Sequence, residues 1–228
     1  MAIAVQVLGP EGTGKTRSMK TLDPSKTVYI NADKKSLPFR GWRKVYNKEN
    51  QNYIVTSDTS QNMNYIQLIS NKRPEVDVIL IDTVNSIMSD KEMRERKKNG
   101  FDKWMDYAGE IYDLYSLAGS ETLRDDLIVI FIGHVEIYED NFKKRWRLKT
   151  GGTKLTKLNV EGKLSYTFYT EVSFKDKKPI YKFVTQTDGT NTARTPEGCF
   201  EYQIDNNLGF IVNTIKEYEN SEEVDVFG

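Results

Sequence analysis

The hydrophobic and polar positions of the chain follow two patterns, which change near residue 150. In the first part, short apolar runs rich in β-branched side chains alternate with longer stretches of helical character. This alternation is typical of βαβ units, in which helices cover a parallel sheet. The runs predict strands at residues 3–8, 27–31, 76–81 and 127–132, and the intervening stretches predict helices at residues 15–22, 62–70 and 101–118.

The later part of the chain has the pattern of paired strands. Residues 164–172 and 179–187 predict two strands joined by a turn, which indicates an antiparallel extension of the same sheet. The predicted class is therefore α/β, with a mostly parallel central sheet flanked by helices and an antiparallel C-terminal extension. Because 228 residues suit one well-buried core, residues 1–216 are expected to form one domain and residues 217–228 an acidic, flexible tail.

Composition excludes several kinds of site. Cys199 is the only cysteine and His134 the only histidine, so internal disulfides and zinc cages of Cys and His are excluded. No apolar run reaches the ~18 residues of a membrane span, and the amino terminus lacks the basic region of a signal peptide. We therefore expect a cytoplasmic protein with no membrane partner. The formal net charge is zero, so any nucleic-acid binding must come from local basic runs.

A glycine-rich segment lies between the first predicted strand and the first predicted helix. It satisfies the pattern G-x-x-x-x-G-K-[S/T], which binds nucleotide phosphates in this context. Glycines let backbone N–H groups close around the β-phosphate, the lysine reaches the β- and γ-phosphates, and the hydroxyl ligates magnesium. The sequence thus predicts a site for ATP and Mg²⁺, formed by Gly9, Pro10, Glu11, Gly12, Thr13, Gly14, Lys15 and Thr16.

A carboxylate that suits the same magnesium site follows the third predicted strand. Asp82 comes directly after the apolar run at residues 78–81. Together with the phosphate loop, such an aspartate is interpreted as a Walker B residue, so that Thr16 and Asp82 both contact Mg²⁺. An aspartate after a strand also caps turns, and the run alone does not separate the two interpretations.

The order of these pieces resembles the RecA family over most of the chain. Residues 78–84 are similar to that family's Walker B strand, and residues 128–135 resemble its strand that ends in a polar γ-phosphate sensor, here His134. The Thr-Gly-Gly at residues 150–152 is similar to the end of the family's second DNA-binding loop. The resemblance implies a RecA-like P-loop ATPase core.

The resemblance also implies a DNA-binding loop at residues 136–149. Several cations surround one tryptophan there, which suits single-stranded DNA because phosphates pair with Lys and Arg while a base stacks on the indole. An exposed β-hairpin with a basic face is the alternative interpretation. The basic run at residues 94–98 lies where the family's first DNA loop is expected. The candidate DNA-binding residues are Lys143, Lys144, Arg145, Trp146, Arg147 and Lys149.

Two further roles follow from the resemblance alone. RecA-like ATPases carry a catalytic glutamate where this chain has the shorter Asp33, which implies water orientation by Asp33 or slow hydrolysis. A turn or capping role is the alternative. Arg194 lies in a segment similar to the late strand that carries a cation to the neighbouring subunit's ATP, although a surface arginine is the alternative. A role in trans implies a homo-oligomer with ATP at its interfaces. The catalytic candidates are Lys15, Asp33, His134 and Arg194.

RecA proper carries a polymerisation segment before its core and a further domain after it, and from this sequence we expect a core without either. In this layout the chain resembles the small single-strand annealing ATPases of bacteriophages, the Sak class. The resemblance implies a phage-type recombination protein that binds single-stranded DNA and promotes annealing in an ATP-dependent way, in the host cytoplasm. The rival functions are an ATPase driven by a protein partner, such as a helicase loader or motor, and a nucleotide switch with little hydrolysis. The tail resembles those with which single-strand binding proteins recruit partners, but its composition favours disorder.

Overall fold

The computed structural model describes residues 1–97, 102–140, 142–151 and 159–221. Its strands form one central sheet. It is ordered β3-β2-β4-β5-β1-β7-β8-β9, and β6 pairs with β5. Within these ranges the strands are β1 (Ile3–Gly9), β2 (Thr27–Asn31), β3 (Tyr53–Ile54), β4 (Val78–Asp82), β5 (Ile128–Asp140), β6 (Lys143–Leu148), β7 (Tyr166–Lys175), β8 (Lys178–Val184) and β9 (Gln203–Asp205).

The sheet is parallel over most of its width and antiparallel at one side. The neighbours from β3 to β7 in the order above pair in parallel, while β8 and β9 continue beyond β7 in antiparallel pairing. Asp176 and Lys177 connect β7 to β8, and their φ angles of 49° and 61° suit a tight two-residue hairpin turn. The predicted α/β class, with its antiparallel C-terminal extension, is confirmed.

Helices cover both faces of the sheet. Among the described residues the α-helices are α1 (Trp42–Val45), α2 (Thr59–Lys72), α3 (Val84–Arg94), α4 (Asp102–Ala118) and α5 (Leu208–Glu219). Side chains of α2, α3 and α4 share one apolar cluster, whereas α5 shares the other with a 3-10 helix at Thr16–Thr21. In the part of the chain that the structure describes, no helix has the length and apolar character needed to cross a membrane.

The strands divide the core into two layers because successive side chains point to opposite faces of the sheet. In β4, Ile79 and Ile81 belong to the layer under α2, α3 and α4, whereas Val78 and Leu80 belong to the layer under α5. Every residue of β2 and of β4 is buried, as expected of central parallel strands. Burial of each large apolar side chain among them stabilises the fold by about 1.5–3 kcal/mol. The parallel register brings the carboxyl ends of β1, β2 and β4 to one edge of the sheet, beside the middle of β5 at His134.

The helix after the glycine loop is shorter than the sequence predicts. The structure has six residues of 3-10 helix where an α-helix over residues 15–22 is expected. The hydroxyls of Ser18 and Thr21 donate to backbone carbonyls three residues earlier, at 2.5 and 2.7 Å, which favours the tighter winding. Pro24 follows closely and disfavours helical backbone at the residue before it. The dipole at this helix start is therefore smaller than that of a full α-helix.

The domain extends further toward the carboxyl end than predicted. α5 includes residues 217–219, which the sequence assigns to the tail. The Tyr166 hydroxyl donates to the carboxylate of Glu219 at 2.6 Å, and Ile211 and Ile215 are fully buried. These contacts hold the whole helix on the sheet. The rest of the predicted tail, from residue 222 onward, lies outside the described residues.

Candidate functional site

The glycine loop connects β1 to the 3-10 helix at Thr16–Thr21. Gly12 and Gly14 have φ angles of 74° and 90°, in the left-handed region that other residues rarely adopt. A side chain at Gly14 would also lie 2.9 Å from the ring of Tyr181 on β8. Left-handed residues in such a loop turn backbone N–H groups toward a common anion. The loop has the backbone that phosphate binding requires.

Lys15 is buried, and backbone carbonyls hold its ammonium group. Its Nζ donates to the carbonyl oxygens of Gly9 and Pro10 at 2.7 and 2.6 Å. Burial lowers the pKa of Lys15 to about 8, and the charge of Asp82 opposes this shift only in part. A phosphate in the loop would add a nearby negative charge and favour the protonated amine. Lys15 therefore lies in a place that an anionic ligand makes more favourable.

Thr16 and Asp82 form the pair that the sequence predicts for magnesium. The hydroxyls of Thr16 and Tyr29 donate to Asp82 Oδ2, at 2.7 and 3.1 Å. Asp82 is only 3% exposed, and burial raises its pKa to about 6. Its Oδ1 has no hydrogen-bond partner within the described ranges. A hydroxyl beside a buried carboxylate with an unsatisfied oxygen fits Mg²⁺, which takes one or two protein ligands and keeps water and phosphate as the others.

Asp33 lies beside Asp82, just after β2. Its backbone N–H donates to the Asp82 carbonyl at 3.0 Å. Its carboxylate accepts hydrogen bonds from the hydroxyls of Thr83 and Ser86 at the start of α3, and from Lys35 at 3.1 Å. Burial raises the pKa of Asp33, but these donors outweigh burial and hold the pKa below its ordinary value. The fold thus places Asp33 at the site. Its hydrogen bonds with Thr83 and Ser86 are also those expected of the alternative turn or capping role.

His134 reaches the phosphate loop through the register of two strands. β1 and β5 place Gly9 opposite His134, and the His134 Nδ1 lies 3.3 Å from Lys15 Nζ. Burial lowers the pKa of His134, and the charge of Lys15 lowers it further. The imidazole is therefore mainly neutral at pH 7, with one ring nitrogen that donates and one that accepts. This position suits a sensor of the terminal phosphate.

A cleft of about 610 Å³ opens beside the phosphate loop. Pro10 and Glu11 line it on the loop side, residues of α3 form another wall, and His134 and Lys149 belong to a third. The cleft thus adjoins both the phosphate loop and the start of the segment predicted to bind DNA. A ligand or a neighbouring subunit in the cleft would contact both.

The described residues of the segment 136–149 form two antiparallel strands of a β-hairpin rather than an irregular loop. β5 continues to Asp140 and pairs with β6 in antiparallel register. The register places Glu136 opposite Arg147, and the two side chains pair at 2.8 Å. Arg145 lies opposite Tyr138 and reaches Asp140 diagonally, at 3.4 Å. The segment has five cations and three carboxylates, which leaves an excess of two positive charges. The hairpin form of the alternative interpretation is confirmed, and carboxylates compensate much of its basic face.

Trp146, on which the sequence predicts that a base stacks, is only partly accessible, and its DNA contact stays a prediction. Its side chain is half-buried and packs against the core layer under α2, α3 and α4. Its backbone N–H donates to the Thr190 carbonyl at 2.7 Å, which ties this part of β6 to the domain. Phe142 at the hairpin tip is instead 97% exposed and adjoins the exposed Lys143 and Lys144. The sequence has a signal for this tip, because polar turn-forming residues precede Phe142 between two strands.

Arg194 does not join the phosphate loop of its own chain. Its backbone pairs with Thr167 on β7, and its guanidinium donates to the carbonyl of Glu161 in the 3-10 helix Val160–Lys163. The Glu161 side chain is itself buried and accepts a hydrogen bond from Thr192 at 2.6 Å. Arg194 therefore anchors a segment within the chain, and its role in trans stays a prediction.

Two predicted DNA elements lie partly outside the described residues. The structure describes the basic run at 94–98 only to residue 97, and it describes the Thr-Gly-Gly at 150–152 only to residue 151. Arg94 ends α3 and donates to the hydroxyl and the carbonyl of Ser57, both at 3.2 Å. The first cation of that run is thus directed toward the segment before α2.

Comparison with known protein families shows which family the chain matches. Residues 1–196 match the protein family described as AAA domain, and this range includes the phosphate loop, Asp82 and His134. The match covers well over half of the 228 residues. A search of curated proteins found no match.

Proposed function

The chain belongs to the AAA domain family, whose members are P-loop ATPases, and from this we propose that it couples ATP to the binding of single-stranded DNA. The finer part of the proposal is a phage-type recombination protein that promotes annealing or strand pairing. One observation carries it: β5 passes from His134, beside Lys15, directly into the exposed hairpin. A change at the terminal phosphate therefore acts at the root of that hairpin.

In this proposal each residue of the loop edge has a defined task. Lys15 binds the β- and γ-phosphates of ATP together with the loop N–H groups. Thr16 and Asp82 hold Mg²⁺, which neutralises phosphate charge when it is bound. Asp33 is ionised at pH 7 and accepts a hydrogen bond from the attacking water, while hydroxyls of α3 fix its orientation. His134 contacts the γ-phosphate and responds to its loss.

The hairpin tip has the chemistry that single strands require. Phe142 is 97% exposed, and Lys143 and Lys144 are exposed beside it. Phosphates pair with ammonium groups, and a base stacks on an aromatic face. Arg145 and Arg147 already contact carboxylates of β5, so we assign DNA contact to the tip rather than to the whole of β6.

A homo-oligomer with ATP at subunit interfaces is a further part of the proposal. The cleft beside the phosphate loop offers a place for a neighbouring subunit. Arg194 would reach that neighbour's γ-phosphate only by leaving the carbonyl of Glu161, so oligomer formation must replace this contact. A single-strand binding protein is a candidate partner of the acidic carboxyl end.

ATP hydrolysis by the purified protein, with and without single-stranded DNA, tests the proposal. We expect single strands to stimulate hydrolysis by about tenfold, because a coupling of this size is common between linked sites. Duplex DNA is the control and is expected to have little effect. ATP binding without any stimulation would overturn the DNA proposal and favour an ATPase driven by a protein partner or a nucleotide switch.

Replacement of Phe142 by alanine is expected to weaken single-strand binding by about 1–3 kcal/mol, the contribution of one stacked base, without lowering the melting temperature. Trp146→Ala is expected to lower the melting temperature, because it removes a half-buried side chain from the core. Fluorescence anisotropy of a labelled oligonucleotide measures the first effect, and thermal unfolding measures the second.

Phe174→Ala is the matched control for the tip. Phe174 is 72% exposed near the tip of the β7–β8 hairpin, away from the predicted DNA segment. The Phe174→Ala variant is expected to bind single-stranded DNA as tightly as the parent does. If Phe142→Ala also binds as the parent does, the assignment of DNA contact to the β5–β6 tip is wrong.

A further inference from the structure

Asn85 joins the helix after β4 to the base of the β5–β6 hairpin. It lies in the first turn of α3, three residues after Asp82. Its Oδ1 accepts a hydrogen bond from the backbone N–H of His134 at 2.6 Å, and its Nδ2 donates to the carbonyl of Lys149 at 2.7 Å. One amide thus contacts the residue at which the hairpin leaves the core and the residue at which it returns.

These contacts occupy the innermost rung of the hairpin ladder. The N–H of Lys149 donates to the carbonyl of His134 at 2.8 Å. In an antiparallel hydrogen-bonded pair, the same two residues also form the reciprocal bond, from the first N–H to the second carbonyl. Here the Asn85 amide is inserted in its place. Only the bond from the Lys149 N–H to the His134 carbonyl joins the two strands directly at this rung, and the next pair outward is Val135 and Leu148.

The insertion links the two ends of the proposed mechanism. The His134 ring lies 3.3 Å from Lys15 Nζ, while the His134 backbone N–H donates to Asn85. One residue therefore contacts both the phosphate loop and α3. The α3 helix also begins at the hydroxyls that hold Asp33. A shift of α3 relative to β5 must therefore change the bonds of Asn85, because hydrogen bonds are directional and short.

Asn85 also has room to move. Its side chain is half-buried and lines the cleft of about 610 Å³, so the amide can leave the ladder without crossing the core. After its departure, the N–H of His134 and the carbonyl of Lys149 can bond directly and complete the rung. Withdrawal of the amide would therefore give the root of the hairpin a second hydrogen-bonded arrangement, in which neither backbone group is unsatisfied.

We propose that Asn85 is a positioning residue that couples the nucleotide state at the phosphate loop to the root of the hairpin. With the amide inserted, His134 is held at its present position beside Lys15. With the amide withdrawn, the rung closes directly and the direction of the hairpin changes. The DNA output of this coupling rests on the proposed function, whereas the link between Asn85 and His134 does not.

The ring signals of His134 test that link directly. His134 is the only histidine, so its NMR signals need no assignment by mutation. We expect Mg²⁺ with a non-hydrolysable ATP analogue to shift these signals in the parent, and to shift them much less in Asn85→Asp and Asn85→Ala. Asn85→Asp keeps the acceptor for the His134 N–H but faces the Lys149 carbonyl with a carboxylate, and Asn85→Ala removes both contacts. Circular dichroism establishes which variants are folded, and the near-isosteric Asn85→Asp carries the test if Asn85→Ala unfolds.

Hydrolysis supplies the second readout. In both Asn85 variants we expect the kcat stimulated by single strands to fall about tenfold, while the KM for ATP changes by less than about threefold. Met93→Ala, at an exposed position of α3 that does not line the cleft, is the control and is expected to match the parent in both measurements. An unchanged His134 response together with unchanged kcat in both variants would overturn the inference. A parent that single strands do not stimulate, but whose His134 response is lost in the Asn85 variants, would refute the DNA function and support the role of Asn85.

Discussion

Lys15→Ala is expected to reduce ATP hydrolysis by at least about 100-fold, the usual loss when a charge-stabilising donor of an active site is removed. The Lys15 ammonium is held at the mouth of the loop by the carbonyls of Gly9 and Pro10. Negative charge on the transferred phosphoryl oxygens must be stabilised in the transition state, and a buried cation does so more effectively than water. Phosphate release measures hydrolysis, and titration with a fluorescent ATP analogue measures binding.

Lys20→Ala is the control for this substitution. Lys20 is an exposed lysine of the same 3-10 helix, and its removal is expected to leave hydrolysis at the parent rate. Hydrolysis by Lys15→Ala at the parent rate would show that the glycine loop is not the nucleotide site.

Asp82→Asn is expected to remove hydrolysis while it preserves or raises the stability of the nucleotide-free protein. Hydrolysis should fall by at least about 100-fold, because Mg²⁺ loses the negative charge that holds it. Burial raises the pKa of Asp82 to about 6, so the folded state disfavours the ionised carboxylate. A neutral amide avoids that penalty, and its oxygen can still accept the hydrogen bonds of Thr16 and Tyr29. Phosphate release and thermal unfolding measure the two effects.

The effect of Asp82 on the free energy of unfolding depends on pH. The pKa of Asp82 in the folded state, about 6, is above the ordinary value of 3.8, so the folded protein binds this proton more tightly than the unfolded chain. The group therefore lowers the free energy of unfolding above pH 6, by at most about 3 kcal/mol, and the loss is relieved as the pH falls toward 4. We expect the parent to gain stability relative to Asp82→Asn when the pH is lowered from 7 to 5.

Asp90→Asn is a control of opposite sign. Hydrogen bonds from Lys34 and Ser57, both at 2.6 Å, hold the pKa of Asp90 below its ordinary value. Its ionised form therefore stabilises the fold at pH 7, and Asp90→Asn is expected to melt earlier than the parent and to retain hydrolysis. If Asp82→Asn melts below the parent at pH 7, or hydrolyses ATP at the parent rate, the interpretation of Asp82 as a buried magnesium carboxylate fails.

The site residues differ in how far the sequence could locate them. The phosphate loop follows from its spacing, and Asp82 follows from its place after an apolar run, so both were predictable from neighbours in the chain. The contacts of Asp33 were not, because the hydroxyls that bind it belong to Thr83 and Ser86, about fifty residues away. Likewise, no local pattern indicates that the Arg194 guanidinium binds the carbonyl of Glu161.

The sequence by itself determined the α/β class, the strand-to-loop position of Lys15 and the place of Asp82, because β-branched runs, glycines and motif spacing act through residues that are close in the chain. Only the tertiary structure decided what the basic segment presents to a ligand. Strand pairing engages its arginines with carboxylates, and packing buries half of Trp146 and leaves Phe142 exposed. The insertion of Asn85 into the ladder could not be predicted from the sequence either, since Asn85 is 49 positions from His134 and 64 positions from Lys149. Such contacts depend on where the folded backbone brings distant residues together, and no local rule contains that information.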